Sequence, residues 1–353
     1  MAYTTIDNPG DHFKVLTYTG NASTNAITGV GFAPDLIWIK HRTAGHDWTA
    51  WDTTRGTEVM LTTNEAYAEA DGSSHGADGV TAFGSDGFTL GNVARTNASS
   101  AAHVAYNWKL NAGTRATFTE SGDNPGGGRQ VNATAGVSLI DYTGTGGAGT
   151  IAHGLGAVPH AIFVHDRGGN NHAVYHKGIA WDDPETDYLR LDTNIAAVDD
   201  SGRWNDTAPT SSVITLGTNN EVKGDGRTYI AWVFTSIKGY SKFGHYKGNG
   251  SADGPFIYTG FKPAWVLRKR SDDAQQWQLY DHKRPGTGNG DMHELYPDGT
   301  DAEGGSDGID FLSNGFKVRV SNGGMNTSAA NHIYAAFAEH PFVSSEGVPV
   351  TAG

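Results

Sequence analysis

The sequence contains no cysteine, so disulfide bonds cannot stabilise the fold and the redox compartment cannot be inferred. No apolar run approaches the ~18 residues that a membrane-spanning helix requires. The opening residues, MAYTTIDNP, contain neither a positively charged stretch nor an apolar one, and so do not predict a secretory signal. These absences favour a soluble protein without membrane insertion, made in a cytoplasm wherever it finally acts.

Basic charge is also scarce, since the formal net charge is −13 at pH 7. A protein that binds nucleic acid needs a basic surface to neutralise phosphates, so this balance argues against a nucleic-acid partner. An acidic exterior is a common way for a protein to remain solvated and dispersed. We therefore interpret the charge as a property of the surface.

Long amphipathic helices are hard to find, because no window combines apolar residues at helical spacing with capping residues at both ends. Only 37% of the residues are hydrophobic, whereas 49 are glycine. This composition is typical of many short strands joined by tight turns rich in Gly, Asn and Asp. The sequence therefore predicts an all-β fold.

One strand motif occurs three times, as GFAPDLIWIKH at 31–41, GLGAVPHAIFVH at 154–165 and GFKPAWVLRKR at 260–270. Each copy starts near a proline, which is tolerated at the first position of a strand. Both faces are apolar at first and become polar or basic, which predicts a strand that is covered at one end and reaches solvent at the other. The arginines that follow are out of register, with Arg42 and Arg167 eight residues after the proline and Arg270 seven. We expect exposed rim charges there, without a shared catalytic role.

The neighbouring strands recur in the same order around each copy, in units of roughly 100–125 residues, the size of a β-sandwich. The sequence therefore predicts three tandem β-sandwich repeats. A stretch rich in Gly, Thr and Asn precedes the second repeat, and we expect a hairpin there in which 115–120 pairs with 130–134. We expect the C-terminal tail to be poorly ordered. The predicted divisions are repeat one at 1–113, linker with hairpin plus repeat two at 114–239, repeat three at 240–342 and the tail at 343–353.

Catalytic patterns are missing. The densest carboxylate cluster, between Asp182 and Asp187, lies in no alternating strand that would aim two carboxylates across a cleft, as glycoside hydrolysis requires. The sequence has no Gly-x-Ser-x-Gly, no phosphate-binding loop and no His-Glu-x-x-His. The histidine spacings do not place two ligands on one face of a strand. We therefore predict a protein that is not an enzyme.

Calcium is the one metal for which the sequence offers ligands. The turns at 249–254, NGSADG, and 298–301, DGTD, carry side-chain oxygens. The spacing of an EF-hand loop is absent, and Asn, Asp and Gly favour such turns without any metal. We predict no cofactor, with calcium as the open alternative.

Six of the nine tryptophans fall on recurring strand positions, which predicts core packing. Trp181 and Trp204 instead lie in loops peculiar to the second unit, with charged and amide side chains beside them. An exposed ring flanked by polar groups is a common way to grip the face of a sugar. The alternative is that each ring packs its loop against its own domain. The candidate glycan site comprises Trp181, Asp182, Asp183, Arg203, Trp204 and Asn205.

Three stretches, YKGNGSADGPFIYTGFKPAWV at 246–266, FLSNGF at 311–316 and YAAFAEHPF at 334–342, resemble a family of bacteriophage virion proteins. That family is widespread in marine tailed phages and is often described as tail-fibre-like or as of unknown function. The units around Pro34 and Pro159 resemble its upstream repeats, so the resemblance covers nearly the whole chain. His340 departs from the family, which tends to have Ala or Asn there. The resemblance implies a lectin-like or jelly-roll β-sandwich on the outside of a particle, with no catalytic residues.

From these observations we expect a non-enzymatic bacteriophage virion surface protein, part of a tail fibre or adsorption structure. Its expected partners are other virion proteins and a host surface glycan. By analogy with fibres we expect a homo-oligomer, namely a trimer. Two alternatives remain open, a capsid decoration protein that acts as a head fibre or cement, and a glycan depolymerase.

Overall fold

The computed structural model describes residues 3–71, 79–284, 289–305 and 308–350, and there the chain is mostly strand, turn and loop. The described helices are short, which confirms the predicted β-rich fold. They are a 3₁₀ turn (Pro9–Asp11), α1 (Ala94–Asn97), α2 (Ser201–Trp204) and α3 (Asn220–Lys223).

The first part of the chain forms strands in which apolar and polar residues alternate, bounded by glycine turns. The Asp86-Gly87 turn joins two of them, as predicted. A Cβ atom at Gly87 would lie 2.0 Å from the carbonyl oxygen of Ile27, so glycine is required there. These strands are β1 (Phe13–Thr19), β2 (Asn25–Thr28), β3 (Leu36–His41), β4 (Thr49–Asp52), β5 (Gly56–Thr62), β6 (Ala70–Asp71), β7 (Val80–Gly84), β8 (Gly87–Leu90) and β9 (Ala102–Trp108).

The middle part begins with the predicted hairpin, although Ala116 pairs with Arg129, so that the partner strand starts earlier than expected. This hairpin continues the sheet beyond the opening strand of the middle part. The strands are β10 (Ala116–Phe118), β11 (Gly127–Asn132), β12 (Val137–Thr143), β13 (Gly149–Ala152), β14 (Ala161–Asp166), β15 (Ala173–His176), β16 (Asp187–Arg190), β17 (Val198–Asp199), β18 (Val213–Leu216) and β19 (Thr228–Phe234).

The last part contains the two longest strands of the described chain. Its strands are β20 (Ser241–Lys247), β21 (Phe256–Tyr258), β22 (Phe261–Arg270), β23 (Gln278–Asp281), β24 (His293–Glu294), β25 (Gly304–Gly305), β26 (Ile309–Leu312), β27 (Gly315–Val318) and β28 (Asn331–Pro341).

All recorded strand pairs are antiparallel, and three large sheets carry most of them. Their orders are β1-β9-β3-β4-β5-β6, β10-β11-β12-β19-β14-β15-β16-β17 and β20-β28-β22-β23. The smaller sheets are β2-β8-β7, β13-β18, β21-β27-β26 and β24-β25. Separate apolar clusters fill the space between each large sheet and one of the first three small ones. In the last part of the chain, β20 and β21 lie at the ends of the two sheets that enclose one such cluster, so each has a free edge.

The other faces of the three large sheets enclose one shared core. Trp108, Phe234 and Phe337, one ring from each large sheet, have centroids 5.8 to 6.4 Å apart. Trp38 lies 5.2 Å from Trp232 and so joins the first sheet to the second. Burial of such rings is worth roughly 1.5–3 kcal/mol each. The three sheets therefore depend on one another for stability.

The recurring proline motif forms β3, β14 and β22, and each lies between a long strand and a short one. The expectation that its far end reaches solvent is wrong. Lys40 and Lys269 are fully buried, because each ammonium group is held by backbone carbonyls of another part of the chain. Lys40 Nζ donates to Thr300 O at 2.8 Å, and Lys269 Nζ donates to Asn194 O at 3.2 Å.

The expectation of exposed rim arginines is wrong for Arg42, which is buried. Its guanidinium donates to both carboxylate oxygens of Glu303, at 2.8 and 2.7 Å. Arg167 donates from Nε to one carboxylate oxygen of Glu69 and is more exposed than Arg42. Both pairs join sheets that are far apart in sequence, and so they help to fix how the sheets pack.

The tail is predicted to be poorly ordered over 343–353; residues 343–350 make specific hydrogen bonds, whereas 351–353 lie outside the described residues. Ser345 N donates to Asp7 Oδ1 at 2.6 Å, and Val350 N donates to Phe342 O at 3.0 Å. These bonds hold the end of the described chain against its beginning. Among the described residues, no helix has the length and apolar character needed to cross a bilayer.

Candidate functional site

The structure does not place the predicted glycan residues on one surface. Trp204 is 1% exposed, packs edge-on against Tyr175 and donates from Nε1 to Asp187 O at 3.1 Å. Its ring is therefore a core residue and cannot stack on a ligand. Trp204 therefore follows the alternative stated above, in which the ring packs against its own domain.

The other polar members of the predicted set have structural partners or stand alone. Arg203 is buried, lies over the ring of Tyr188 at 3.9 Å and pairs with Glu221 at 3.0 Å. Asn205 ends α2 in the left-handed conformation, with φ 52°. Asp182 and Asp183 are exposed in the loop that follows Trp181.

Trp181 itself remains a candidate, because 40% of it is exposed. Its φ of 65° is unfavourable for a bulky side chain, costing about 1–2 kcal/mol. The ring lies 4.0 Å from the ring of His245, and Lys247 Nζ lies 4.9 Å from its centroid. The loop therefore holds a strained backbone that presents this ring beside β20.

Next to Trp181, a shallow groove of about 360 Å³ runs between the free edges of β20 and β21. Phe256 and Tyr258 are 46% and 47% exposed, on either side of the buried Ile257. A contiguous patch of exposed apolar side chains often marks an interaction site. We call this surface the aromatic–lysine groove, defined by Lys177, Trp181, Lys242, His245, Lys247, Phe256 and Tyr258.

The groove is basic, although the chain is acidic. Lys242 Nζ donates to Tyr258 O at 2.6 Å and lies 5.3 Å from the ring of Tyr258. Among the described residues, no carboxylate lies within ion-pair distance of Lys177, Lys242 or Lys247. Burial, together with the neighbouring Lys242, lowers the pKa of Lys177, while burial lowers the pKa of Lys242. An anion that enters the groove would therefore relieve the mutual repulsion of these lysines.

His245 links the two ends of the groove, since it contacts Trp181 and lines the space beside Lys177. Burial and the charge of Lys177 lower the pKa of His245, which favours its neutral form. A neutral imidazole can donate and accept hydrogen bonds, whereas the lysines only donate. The groove thus combines apolar ring faces, cationic donors and one mixed donor and acceptor.

The oxygens predicted for calcium are engaged within the fold. Asn249 Oδ1 accepts from Asn326 Nδ2 at 2.9 Å, and Asp253 pairs with Lys317 at 2.5 Å. Asp298 Oδ1 accepts from the backbone N–H of Trp277 at 3.1 Å. Within the described ranges, no three His, Asp or Glu side chains are grouped to hold a metal ion.

Sequence reasoning missed Phe256 and Tyr258, although both lie in the stretch that resembles the virion family. Their signal is the triplet Phe-Ile-Tyr, in which two aromatic residues flank a core isoleucine. An alternating strand of this kind has one buried face, but the sequence does not say what covers the other.

Comparison with known proteins gives a family and no function. The chain belongs to the family described as "Domain of unknown function (DUF7483)", whose profile matches residues 8–341. No curated protein and no solved structure matches the chain. The profile spans all three large sheets, in agreement with their common core.

Proposed function

We propose that this protein is a non-enzymatic virion surface protein, part of a tail fibre or adsorption structure, whose aromatic–lysine groove binds an acidic glycan of the host surface. The observation that carries the proposal is the grouping of three exposed rings with lysines for which the described part of the chain offers no carboxylate partner. Ring faces stack on the apolar faces of sugars, while lysines pair with carboxylate, sulfate or phosphate groups. An acidic sugar presents both features in one ligand.

The groove favours binding over cleavage. Hydrolysis of a glycosidic bond usually needs two carboxyl groups about 5–10 Å apart. The residues that line the groove are basic, aromatic or aliphatic, and none of those described carries a carboxylate. A depolymerase is therefore the weaker candidate at this surface.

A position on a phage particle is supported by the sequence resemblance. The stretch at 246–266 that resembles virion proteins includes Lys247, Phe256 and Tyr258 of the groove. Attachment to other virion proteins, in a trimer as in other fibres, belongs to the same proposal. Reconstruction of intact particles would locate the chain on the tail, as proposed, or on the head, as a capsid decoration protein would require.

The chain is further proposed to consist of three tandem β-sandwich repeats of lectin-like or jelly-roll type arranged in a ring. Every large sheet contributes aromatic rings to the shared core, and the repeats are joined in cyclic order by backbone hydrogen bonds. The three supporting bonds are Glu303 N to Arg42 O at 2.8 Å, Glu69 N to Arg167 O at 2.9 Å, and Ala197 N to Ser271 O at 2.7 Å.

This arrangement makes the groove specific to one repeat. The strands β2, β13 and β21 all place an isoleucine toward their sheet's core, namely Ile27, Ile151 and Ile257. Only in β21 are both flanking residues aromatic. The flanking residues are Ala26 and Thr28 in β2, Thr150 and Ala152 in β13, and Phe256 and Tyr258 in β21. All three strands thus contribute an isoleucine to the core, but only β21 also carries exposed aromatic rings.

Removing one groove ring is expected to weaken glycan binding. Trp181→Ala and Tyr258→Ala should each cost about 1–3 kcal/mol if ring stacking dominates. Binding would be measured by calorimetry against acidic oligosaccharides that carry carboxylate, sulfate or phosphate, each compared with a neutral derivative such as a methyl ester.

Tyr67→Ala is the matched control, because Tyr67 is 53% exposed but lies outside the groove. It should bind as the unchanged protein does. Equal binding by Trp181→Ala, Tyr258→Ala and Tyr67→Ala would refute the site, as would a preference for the neutral derivatives.

The lysines predict a distinct salt dependence. Lys177→Gln should reduce the affinity for acidic oligosaccharides and flatten its dependence on sodium chloride, because one partly buried cation is removed. The same change should leave any residual affinity for neutral derivatives unaltered. A salt dependence identical to that of the unchanged protein would show that Lys177 does not face the ligand.

A further inference from the structure

A second cavity shares no lining residue with the aromatic–lysine groove. It lies where the loop after β16 meets the loops around β23. It has a volume of about 710 Å³, within the range of about 300–1,000 Å³ that is typical of small-molecule sites. Its lining is dominated by uncharged amide side chains, and we call it the amide pocket. The side chains that matter here are Asn194, Gln275, Gln276, Gln278, Asp298 and Asn322.

One wall of the amide pocket is held rigidly. Gln278 donates from Nε2 to Glu294 Oε2 at 3.1 Å, and its Oε1 accepts from Arg268. Asp298 accepts from the backbone N–H of Trp277. A wall fixed in this way loses little conformational freedom when a ligand binds.

The facing side carries polar groups that a ligand can reach. Gln276 is exposed and Gln275 half-buried, so their side-chain amides are open to solvent, and within the described chain the buried hydroxyl of Thr193 has no partner. A buried polar atom without a partner costs about 1–3 kcal/mol, which a ligand or water can recover. The pocket therefore offers free donors and acceptors opposite a fixed wall.

The turn before β23 has counterparts before β4 and β15. Each counterpart is closed by side-chain hydrogen bonds. Trp48 N donates to Asn64 Oδ1 at 2.8 Å, and Asn64 Nδ2 then donates to Asp47 Oδ1 at 3.1 Å. His172 N donates to Asp192 Oδ1 at 2.9 Å, and Asn171 Nδ2 donates to Asp192 Oδ2 at 2.7 Å. In each counterpart, the side chain that accepts from the backbone N–H of Trp48 or His172 is also hydrogen-bonded to the side chain of the preceding residue.

In the third occurrence this closing bond is missing. Trp277 N donates to Asp298, but Gln276, the residue before Trp277, forms no hydrogen bond with Asp298. A space lined by amides remains in its place. The pocket thus lies where the turn before β23 lacks the closing side-chain hydrogen bond that its two counterparts have.

We propose that the amide pocket binds a neutral sugar residue through its hydroxyl groups. Side-chain amides both donate and accept, which matches the hydroxyls around a pyranose ring. Asp298 faces the space, and its charged form would repel an acidic ligand. The cations beside the pocket are already engaged, Arg268 by Gln278 and the carbonyl oxygen of Gly324, and Lys269 by backbone carbonyl oxygens.

The protonation of Asp298 supports this assignment. Burial raises the pKa of Asp298 to about 7, opposed by Lys269 and assisted by Asp192. Near neutral pH the carboxyl group can therefore donate as well as accept a hydrogen bond. A sugar hydroxyl can accept a hydrogen bond from the protonated carboxyl group or donate one to the carboxylate.

Saturation-transfer NMR on the full chain tests the proposal with glucose, galactose, mannose and N-acetylglucosamine, each used separately. At least one sugar should receive saturation from the unchanged protein. The double variant Gln275→Ala, Gln276→Ala should reduce its affinity at least tenfold. Asp47→Ala, the matched change in the closed turn before β4, and Tyr258→Ala, in the aromatic–lysine groove, should leave it unchanged.

Three results would overturn the proposal. They are absence of transfer to all four sugars, equal transfer in the double glutamine variant and Asp47→Ala, and loss of transfer in Tyr258→Ala instead. Thermal melting of each variant shows whether it is folded. Because the two sites take ligands of different charge and are changed by different substitutions, failure here leaves the groove's test intact.

Discussion

Trp108→Ala is expected to lower the free energy of unfolding by about 3–5 kcal/mol and to affect all three large sheets together. Trp108 is 1% exposed, and its ring lies 5.0 Å from Phe13, 5.4 Å from Trp38 and 6.0 Å from Trp265. These partners come from two different sheets, and Phe234 adds the remaining one at 6.4 Å. Deleting the indole leaves a cavity where the sheets meet.

Urea unfolding followed by both tryptophan fluorescence and far-ultraviolet circular dichroism measures this effect. The two signals should coincide, because the sheets share one core. Trp181→Ala is the control, since its exposed ring should change stability by less than about 0.5 kcal/mol. Separate transitions in the unchanged protein would contradict a common core.

Acidification from pH 7 to pH 5 is expected to destabilise the protein by several kcal/mol. Burial lowers the pKa of His176 to about 3 and that of His103 to about 4. His176 is held neutral, because Nε2 donates to Tyr334 O and Nδ1 accepts from Gly178 N, both at 3.1 Å. Protonation would break that arrangement.

The sign follows from proton binding. Between pH 6.5 and about 4, these histidines are protonated in the unfolded chain but neutral in the folded one, so stability falls as the pH falls. Each contributes about 1.4 kcal/mol per pH unit in this window. Urea midpoints measured between pH 7 and 5 should therefore drop, and His176→Gln should show a shallower drop. Constant stability across this range would contradict the burial of neutral histidines.

The strands themselves could be predicted from the sequence, because their signals are local. The alternation around Val15 and the proline before Leu36 locate β1 and β3, and Asp86-Gly87 locates a hairpin turn. Such patterns depend on residues two to four positions apart. They hold wherever the strand is finally packed.

The burial of charged residues could not be predicted in this way. Lys40 and Arg42 look like the solvent end of a strand, yet their partners are Thr300 and Glu303, some 260 residues later. Only the packing of one large sheet against another brings these groups together. No local pattern records that packing.

Only part of the candidate site could be predicted, because the rest of it also depends on how distant segments pack. The sequence predicts that Trp181 and Trp204 both lie in loops, but Trp204 ends α2 and packs against Tyr175, whereas Trp181 faces β20. Phe256 and Tyr258 alternate with a core residue, as any half-buried strand does. Their importance depends on the free edges of β20 and β21, which only the sheet order reveals.

The most direct test of the central claim is a crystal structure of the full chain with the acidic oligosaccharide that it binds most tightly. We predict electron density for a sugar ring against Tyr258, Phe256 or Trp181, with its acidic group within about 4 Å of Lys177 or Lys242. Density at another surface would contradict the claim. So would a ligand in the groove whose acidic group points to solvent.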